Sequence, residues 1–177
     1  MRRMWLLPAG AAALAAVWST SLAAQHNAEM PGAKPANVVE VDVELVMAVD
    51  ISYSMDYDEL ALQREGYVQA LTSSEFLKAL KQGTNAKVAV TLVEWAGVND
   101  QRVVLPWRLI DGEASAQAVA AEMARAPVRR SYRTSIAGAL MFSAALFDNN
   151  GFRGIRRVID VSGDGTNNQG PIVTQVR

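Results

Sequence analysis

Residues 41–54 read VDVELVMAVDISYS, and this stretch decides the fold. Val41, Val43 and Leu45 alternate with Asp42 and Glu44, and then Leu45 to Val49 runs unbroken and apolar. Alternation giving way to a continuous run predicts a strand that enters the middle of a sheet and is covered on both faces. The strand ends at Asp50. Just beyond it, Asp50, Ser52 and Ser54 place three oxygen side chains at i, i+2 and i+4. An extended backbone points alternate residues the same way, so the carboxylate and both hydroxyls can converge. Open parallel sheets bind ligands at that end of their strands. These are hard donors, suited to Mg²⁺ or Ca²⁺ rather than to softer metals.

Outward from this strand, Tyr57 to Leu71 has Leu60, Arg64, Tyr67 and Leu71 at helical spacing, with Asp58 and Glu59 in its first turn. Ser74 is expected to cap a short second helix that Gly83 closes. Lys87–Glu94 (KVAVTLVE) and Arg102–Trp107 (RVVLPW) read as strands, Pro106 placing the latter near a sheet edge. Glu113–Arg125 and Thr134–Phe147 read as helices, and Arg156–Ser162 as a fourth strand left through Gly163-Asp164-Gly165. The order, the short helix aside, is β-α-β-β-α-α-β. It predicts an α/β fold, a mainly parallel central sheet with helices on both faces. The link from Ala96 to Gln101 is too short for a parallel crossover, so one edge strand should be antiparallel.

Composition sets the frame. The chain has 177 residues, half of them hydrophobic, enough for one domain with a real core. A formal charge of −1 gives no broad basic field for nucleic acid or anionic lipid. The absence of cysteine excludes disulfides, thiolate metal sites and a thiol nucleophile. Residues 1–24 read as a signal peptide: Arg2 and Arg3, an apolar run from Trp5 to Val17, then Ser21-Leu22-Ala23 before a cleavage site. No second apolar run could span a bilayer, so the mature chain should be exported, periplasmic or extracellular, with no membrane span. Residues 25–39 read as a flexible lead-in holding Pro31, Gly32, Pro35 and the sole histidine, His26. Residues 40–177 form the domain. The chain stops thirteen residues after Asp164, although a strand as apolar as the fourth is expected inside a sheet. That predicts a C-terminal truncation.

Two further polar positions share the placement of the Asp50 loop. Thr134 enters a helix from the polar stretch RSYR, and Asp164 follows the fourth strand. Two carboxylates and three hydroxyls would balance a divalent ion yet leave it electrophilic toward one more negative ligand.

DISYS followed by Met, a Thr ahead of an amphipathic helix, and a strand ending in SGDG resemble the metal-ion-dependent adhesion site of von Willebrand factor A domains. The family pattern Asp-x-Ser-x-Ser with a distant Thr and a distant Asp maps onto Asp50, Ser52, Ser54, Thr134 and Asp164. LALQREGYVQAL, VTLVEWAG and RRVIDVSGDGTNNQG resemble a group of secreted bacterial proteins of this type. The resemblance implies a module that binds a protein ligand through Mg²⁺ (or Ca²⁺ or Mn²⁺), the ligand presenting an acidic group to the metal. By it, Ser52 and Ser54 would ligate directly, and Asp50, Thr134 and Asp164 directly or through water. Of the second site that integrin β-subunit domains carry, Asp58 matches one acidic position, but Tyr57 replaces the other.

Plainer readings stand beside these. Asp50-x-Ser-x-Ser could be a helix cap with a serine-rich turn, and Thr134-Ser135 a cap compatible with metal binding. Asp160-x-Ser162-x-Asp164-Gly165-x-Asn167 mimics a calcium loop, but Asp160 falls in a strand and the twelfth position is Pro171 rather than Glu. Asn167 and Asn168 are expected to shape the turn. Arg129, Arg130 and Arg133 form either an anion patch or a solvated basic turn. Trp95 and Trp107 should pack. The acids Asp56, Asp58 and Glu59 either hold a second cation or simply open a helix. A metal-assisted phosphohydrolase with Asp50 as nucleophile is the alternative function, weakened by the lack of a paired lysine or a histidine acid–base. A binding module rather than an enzyme is therefore expected; a fragment with its fourth strand left as an open edge is the third reading.

Overall fold

The computed structural model describes residues 38–176. The expected signal peptide over 1–24, His26 and the lead-in up to residue 37 lie outside that range. Strand β1 (Val39–Asp50) carries the deciding stretch, and Val46, Met47, Ala48 and Val49 are buried on both of its faces. Helices α1 (Tyr57–Thr72) and α2 (Ser74–Gln82) lead to β2 (Val88–Trp95). The hairpin strand β3 (Gln101–Ile110), helices α3 (Glu113–Arg125) and α4 (Ile136–Ala145), and strand β4 (Phe152–Ser162) complete the order.

The sheet runs β3-β2-β1-β4. β1 is parallel to both β2 and β4, and β2 with β3 forms the expected antiparallel pair. The period of two along each strand sorts the core into two layers. Met47, Val49, Val90 and Leu92 face Leu71 and Leu80 of α1 and α2 and Val119 and Met123 of α3. Val46 and Val93 face Phe147, and Ala48 and Trp95 face Ala139 of α4. Helices thus cover both faces. The chain leaves β1 toward β2 on one side and reaches β4 on the other, so the end of β1 is the point where the strand order reverses. Crevices at such points are where open α/β sheets hold ligands.

Some boundaries differ from expectation for local reasons. Ser73, not Ser74, caps α2, accepting the Phe76 amide at 3.1 Å. Helix α4 begins at Ile136 because Ser135 takes the capping position, which leaves Thr134 outside it. The apolar strand β4 is the end strand among the described residues, with Ile155 65% exposed. Asp56 and Glu59 form a reciprocal capping box on α1, each side chain accepting the other's backbone amide at 2.8 Å. Helix capping therefore accounts for that acidic pair. Trp95 is fully buried, and Trp107 packs on Phe147 while donating to the Leu146 carbonyl at 3.0 Å. No described helix is long and apolar enough to cross a membrane.

Candidate metal centre

Three chain segments meet at the carboxyl end of β1. The backbone leaves β1 with the Ile51 amide donating to the Trp95 carbonyl at 3.0 Å, which holds it beside β2. The Ser131 amide then donates to the Ile51 carbonyl at 2.8 Å, and Ser52 pairs with Ser131 in a parallel bridge. This stitches the loop before Thr134 to the Asp50 loop. On the other side, Val49 is in register with Ser162, so Asp164 leaves β4 next to Asp50. Asn168 closes the third edge: its side chain accepts the Thr134 amide at 3.0 Å, and its own amide donates back to the Thr134 carbonyl at 2.9 Å. Asn167 accepts the Ala137 amide at 3.4 Å, so both asparagines shape the turn as expected.

Within this frame, four of the five sequence candidates form one hydrogen-bonded chain. Asp50 Oδ1 accepts the Ser52 amide at 2.7 Å; the Ser52 and Ser54 hydroxyls lie 2.8 Å apart; the Ser54 hydroxyl donates to Asp164 Oδ1 at 2.7 Å. Thr134 stands alongside: a methyl added to Gly165 would lie 3.4 Å from the Thr134 hydroxyl and 3.9 Å from that of Ser54. Asp50, Ser52 and Thr134 are buried, whereas Ser54 and Asp164 are exposed. The cluster therefore has a closed floor and an open mouth.

Its electrostatics are unbalanced. Asp50 Oδ2 is buried and has no hydrogen-bond partner. Burial pushes the Asp50 carboxyl above its ordinary value, and the nearby Asp164 carboxylate pushes it the same way, against the opposing Ser52 hydrogen bonds. An unpaired buried carboxylate oxygen is costly, and a hard cation would satisfy it. Among the described residues no three His, Cys, Asp or Glu side chains gather to hold a metal. A cation here depends on the hydroxyls. The donor set is all oxygen, which fits Mg²⁺, Ca²⁺ or Mn²⁺.

The raised Asp50 value has a measurable consequence. Without a cation, the folded protein holds the Asp50 proton more tightly than the unfolded chain does. Stability contributed by that proton is complete below the unfolded value of 3.8 and is lost as pH rises through the higher folded value. Asp50→Asn removes this slope, so the difference in urea stability between the two proteins, followed in EDTA across mildly acidic pH, should widen in favour of Asn as pH rises. A difference that does not change with pH would show that Asp50 is not perturbed.

Two features of the site escape the sequence. Glu94, fully buried at the end of β2, binds three arginines from three segments: Arg64 of α1 at 2.9 Å, Arg102 of β3 at 3.0 Å and Arg129 at 3.1 Å. Arg129 also pairs with Asp100 at 2.9 Å, and Asp100 accepts the Ser131 hydroxyl. The Thr134 loop is thereby anchored to the sheet. Neither an anion patch nor a solvated basic turn describes all of Arg129, Arg130 and Arg133. Arg129 is consumed by Glu94 and Asp100, and Arg130 donates to the Tyr53 carbonyl at 2.7 Å while stacking on tyrosines. Only Arg133 of the three is exposed. The calcium-loop reading also fails, since Asp160 lies within β4 and accepts the Tyr67 hydroxyl at 2.8 Å.

Comparison with known proteins adds the following. A family described as "Protein of unknown function (DUF1194)" matches residues 40–177. No curated protein matches the chain. Among solved structures, the chain is similar to proximal thread matrix protein 1 of the mussel byssus, with 16% identity and a TM-score of 0.57, over 79% of this chain and 35% of that one. A structure of the same mussel protein with a zinc-occupied MIDAS motif aligns at 17% identity and a TM-score of 0.57, with the same coverage. The von Willebrand factor domain of the type V pili tip protein Mfa5 from Porphyromonas gingivalis aligns at 17% identity and a TM-score of 0.45, over 73% of this chain and 40% of that one. The chain thus spans 35% of the mussel protein it matches. At these identities the likeness is one of fold.

Proposed function

The chain belongs to the DUF1194 family and has the von Willebrand A fold, and from that premise we propose that it is an exported binding module that grips a protein ligand through a divalent cation. Asp50, Ser52, Ser54, Thr134 and Asp164 would hold the ion, Mg²⁺ or else Ca²⁺ or Mn²⁺. The observation that carries the reading is the chain from Asp164 through Ser54 and Ser52 to Asp50, whose buried Oδ2 is left without a partner. A bound cation supplies Lewis acidity toward an oxygen ligand. The protein's part is to hold two carboxylates and three hydroxyls together, with the open mouth at Ser54 and Asp164 left for an acidic side chain of the partner. The zinc-occupied motif in the mussel protein supports cation binding on this fold. The domain is taken as residues 40–177, preceded by the signal peptide and lead-in.

The hydrolase alternative is disfavoured by burial. A nucleophilic carboxylate must reach its substrate. Asp50 is 0% exposed, and Ser52 already holds Oδ1.

Thermal unfolding with and without Mg²⁺ tests the proposal. An ion that binds only the native state stabilises it by about 2.7 kcal/mol at a hundredfold excess over its dissociation constant. The shift is expected in the wild-type protein and absent in Asp50→Ala. A cooperative wild-type transition that Mg²⁺, Ca²⁺ and Mn²⁺ all leave unmoved would refute it.

A further inference from the structure

Around the mouth of the centre, four side chains form one stack. The Tyr53 and Tyr132 rings lie 4.3 Å apart at 27°, the Arg130 guanidinium sits 4.6 Å from the Tyr53 centroid, and the same guanidinium lies 5.4 Å from the Tyr57 ring. Tyr53 stands between the two serines of the site and Tyr132 stands two residues before Thr134. All three rings are largely open to solvent: Tyr53 is 48%, Tyr57 60% and Tyr132 72% exposed. Three large exposed rings beside one polar cleft are unusual for a surface with no partner. Tyrosine and arginine are the residues enriched where proteins meet.

We propose that the Tyr53–Tyr132 stack is the recognition platform for a protein segment in which an acidic residue lies next to an aromatic one. This rests on the cation reading above, which supplies the seat for the acid. Stacking fixes Tyr53 between its neighbours, so little rotamer freedom remains to be lost on binding. Tyr132 ends the stack and is the most exposed ring, so its outer face is the natural place for a ligand ring. Charge on this side favours an acidic segment. Arg133, exposed and held at φ 73°, adjoins Thr134. Of the acids near Tyr57, Asp56 and Glu59 are engaged in the helix cap.

The test selects a random displayed-peptide library on the Mg²⁺-loaded protein with elution by EDTA, and selects on Tyr132→Ala in parallel. The expected pool carries Asp or Glu with Trp, Tyr or Phe adjacent or next but one. On Tyr132→Ala the acid persists and the aromatic enrichment disappears, and a synthesised peptide from the first pool binds the variant up to about tenfold more weakly. An acid-bearing pool without aromatics, or the same pool on both proteins, overturns the platform and leaves the cation reading standing. A wild-type Mg²⁺ shift with no EDTA-elutable pool overturns it likewise. Loss of the Mg²⁺ shift in Tyr132→Ala would make the stack a brace for the metal loops, which also overturns it. No Mg²⁺ shift in the wild-type protein removes the cation reading, and the platform falls with it.

Discussion

Glu94→Ala is expected to cost about 3–5 kcal/mol of folding free energy, since breaking a buried ion pair leaves charge without a counter-ion. Glu94 is 0% exposed, and the Arg64 side chain that meets it is 10% exposed. Arg64 would keep its bonds to the Met123 and Ala126 carbonyls, both at 3.1 Å, but neither carries a compensating charge. Arg102, whose side chain is 46% exposed, provides the contrast. Arg102→Ala removes a partly solvated partner and should cost about 1 kcal/mol or less. Urea unfolding of both variants checks the difference. Equal and small losses would mean that the Glu94 cluster does not support the fold. Because Arg129 reaches from Glu94 to Asp100, and Asp100 to Ser131, the Glu94 variant should also weaken the Mg²⁺ response by loosening the Thr134 loop.

Gly163→Ala should damage stability and cation binding together. A Cβ at this position would lie 2.8 Å from Asp50 Oδ2, 3.1 Å from Asp50 Cβ and 3.2 Å from Trp95 Cζ2. Asp50 and Trp95 are both fully buried, so neither can retreat into solvent. Overpacking of this kind costs about 1–3 kcal/mol. Relief must come from Asp50 or from the exposed loop that carries Asp164, and either movement disturbs the oxygens proposed to hold the cation. Gly165→Ala tests the same loop with ordinary contacts, 3.4 Å and 3.5 Å from Thr134 atoms, and should fold with nearly normal stability. Thermal unfolding of both variants, with and without Mg²⁺, separates them. A Gly163→Ala protein that matches the wild type in both respects would show that Asp50 is not confined as described.

How much of this was legible in the sequence depends on the range of each interaction. The central position of β1 could be read because burial on both faces imposes a continuous apolar run on one short segment. The antiparallel pairing of β2 and β3 was legible from loop length alone. Asp50, Ser52 and Ser54 share a segment, so strand geometry suggested their convergence; Thr134 and Asp164 were suggested by their placement beside a helix start and a strand end, and were joined to the set by a family resemblance. The Glu94 cluster was not legible, because its arginines at 64, 102 and 129 are brought together only by the sheet and the packing of α1. The partners of the basic run at 129–133 were not legible for the same reason, since Glu94, Asp100 and the Tyr53 carbonyl lie far away in sequence. Nothing local marks Tyr53 and Tyr132 as partners; they flank the bridge between Ser52 and Ser131, and their rings stack.

The central claim is that five side chains from three loops share one cation. Crystals of the domain grown with Mn²⁺, measured for anomalous scattering, test it most directly. The account predicts a single strong peak enclosed by Ser52, Ser54, Thr134 and Asp164 above Asp50, abolished in Asp50→Ala. No peak there in well-diffracting crystals, or a peak at the acidic start of α1 instead, would contradict it.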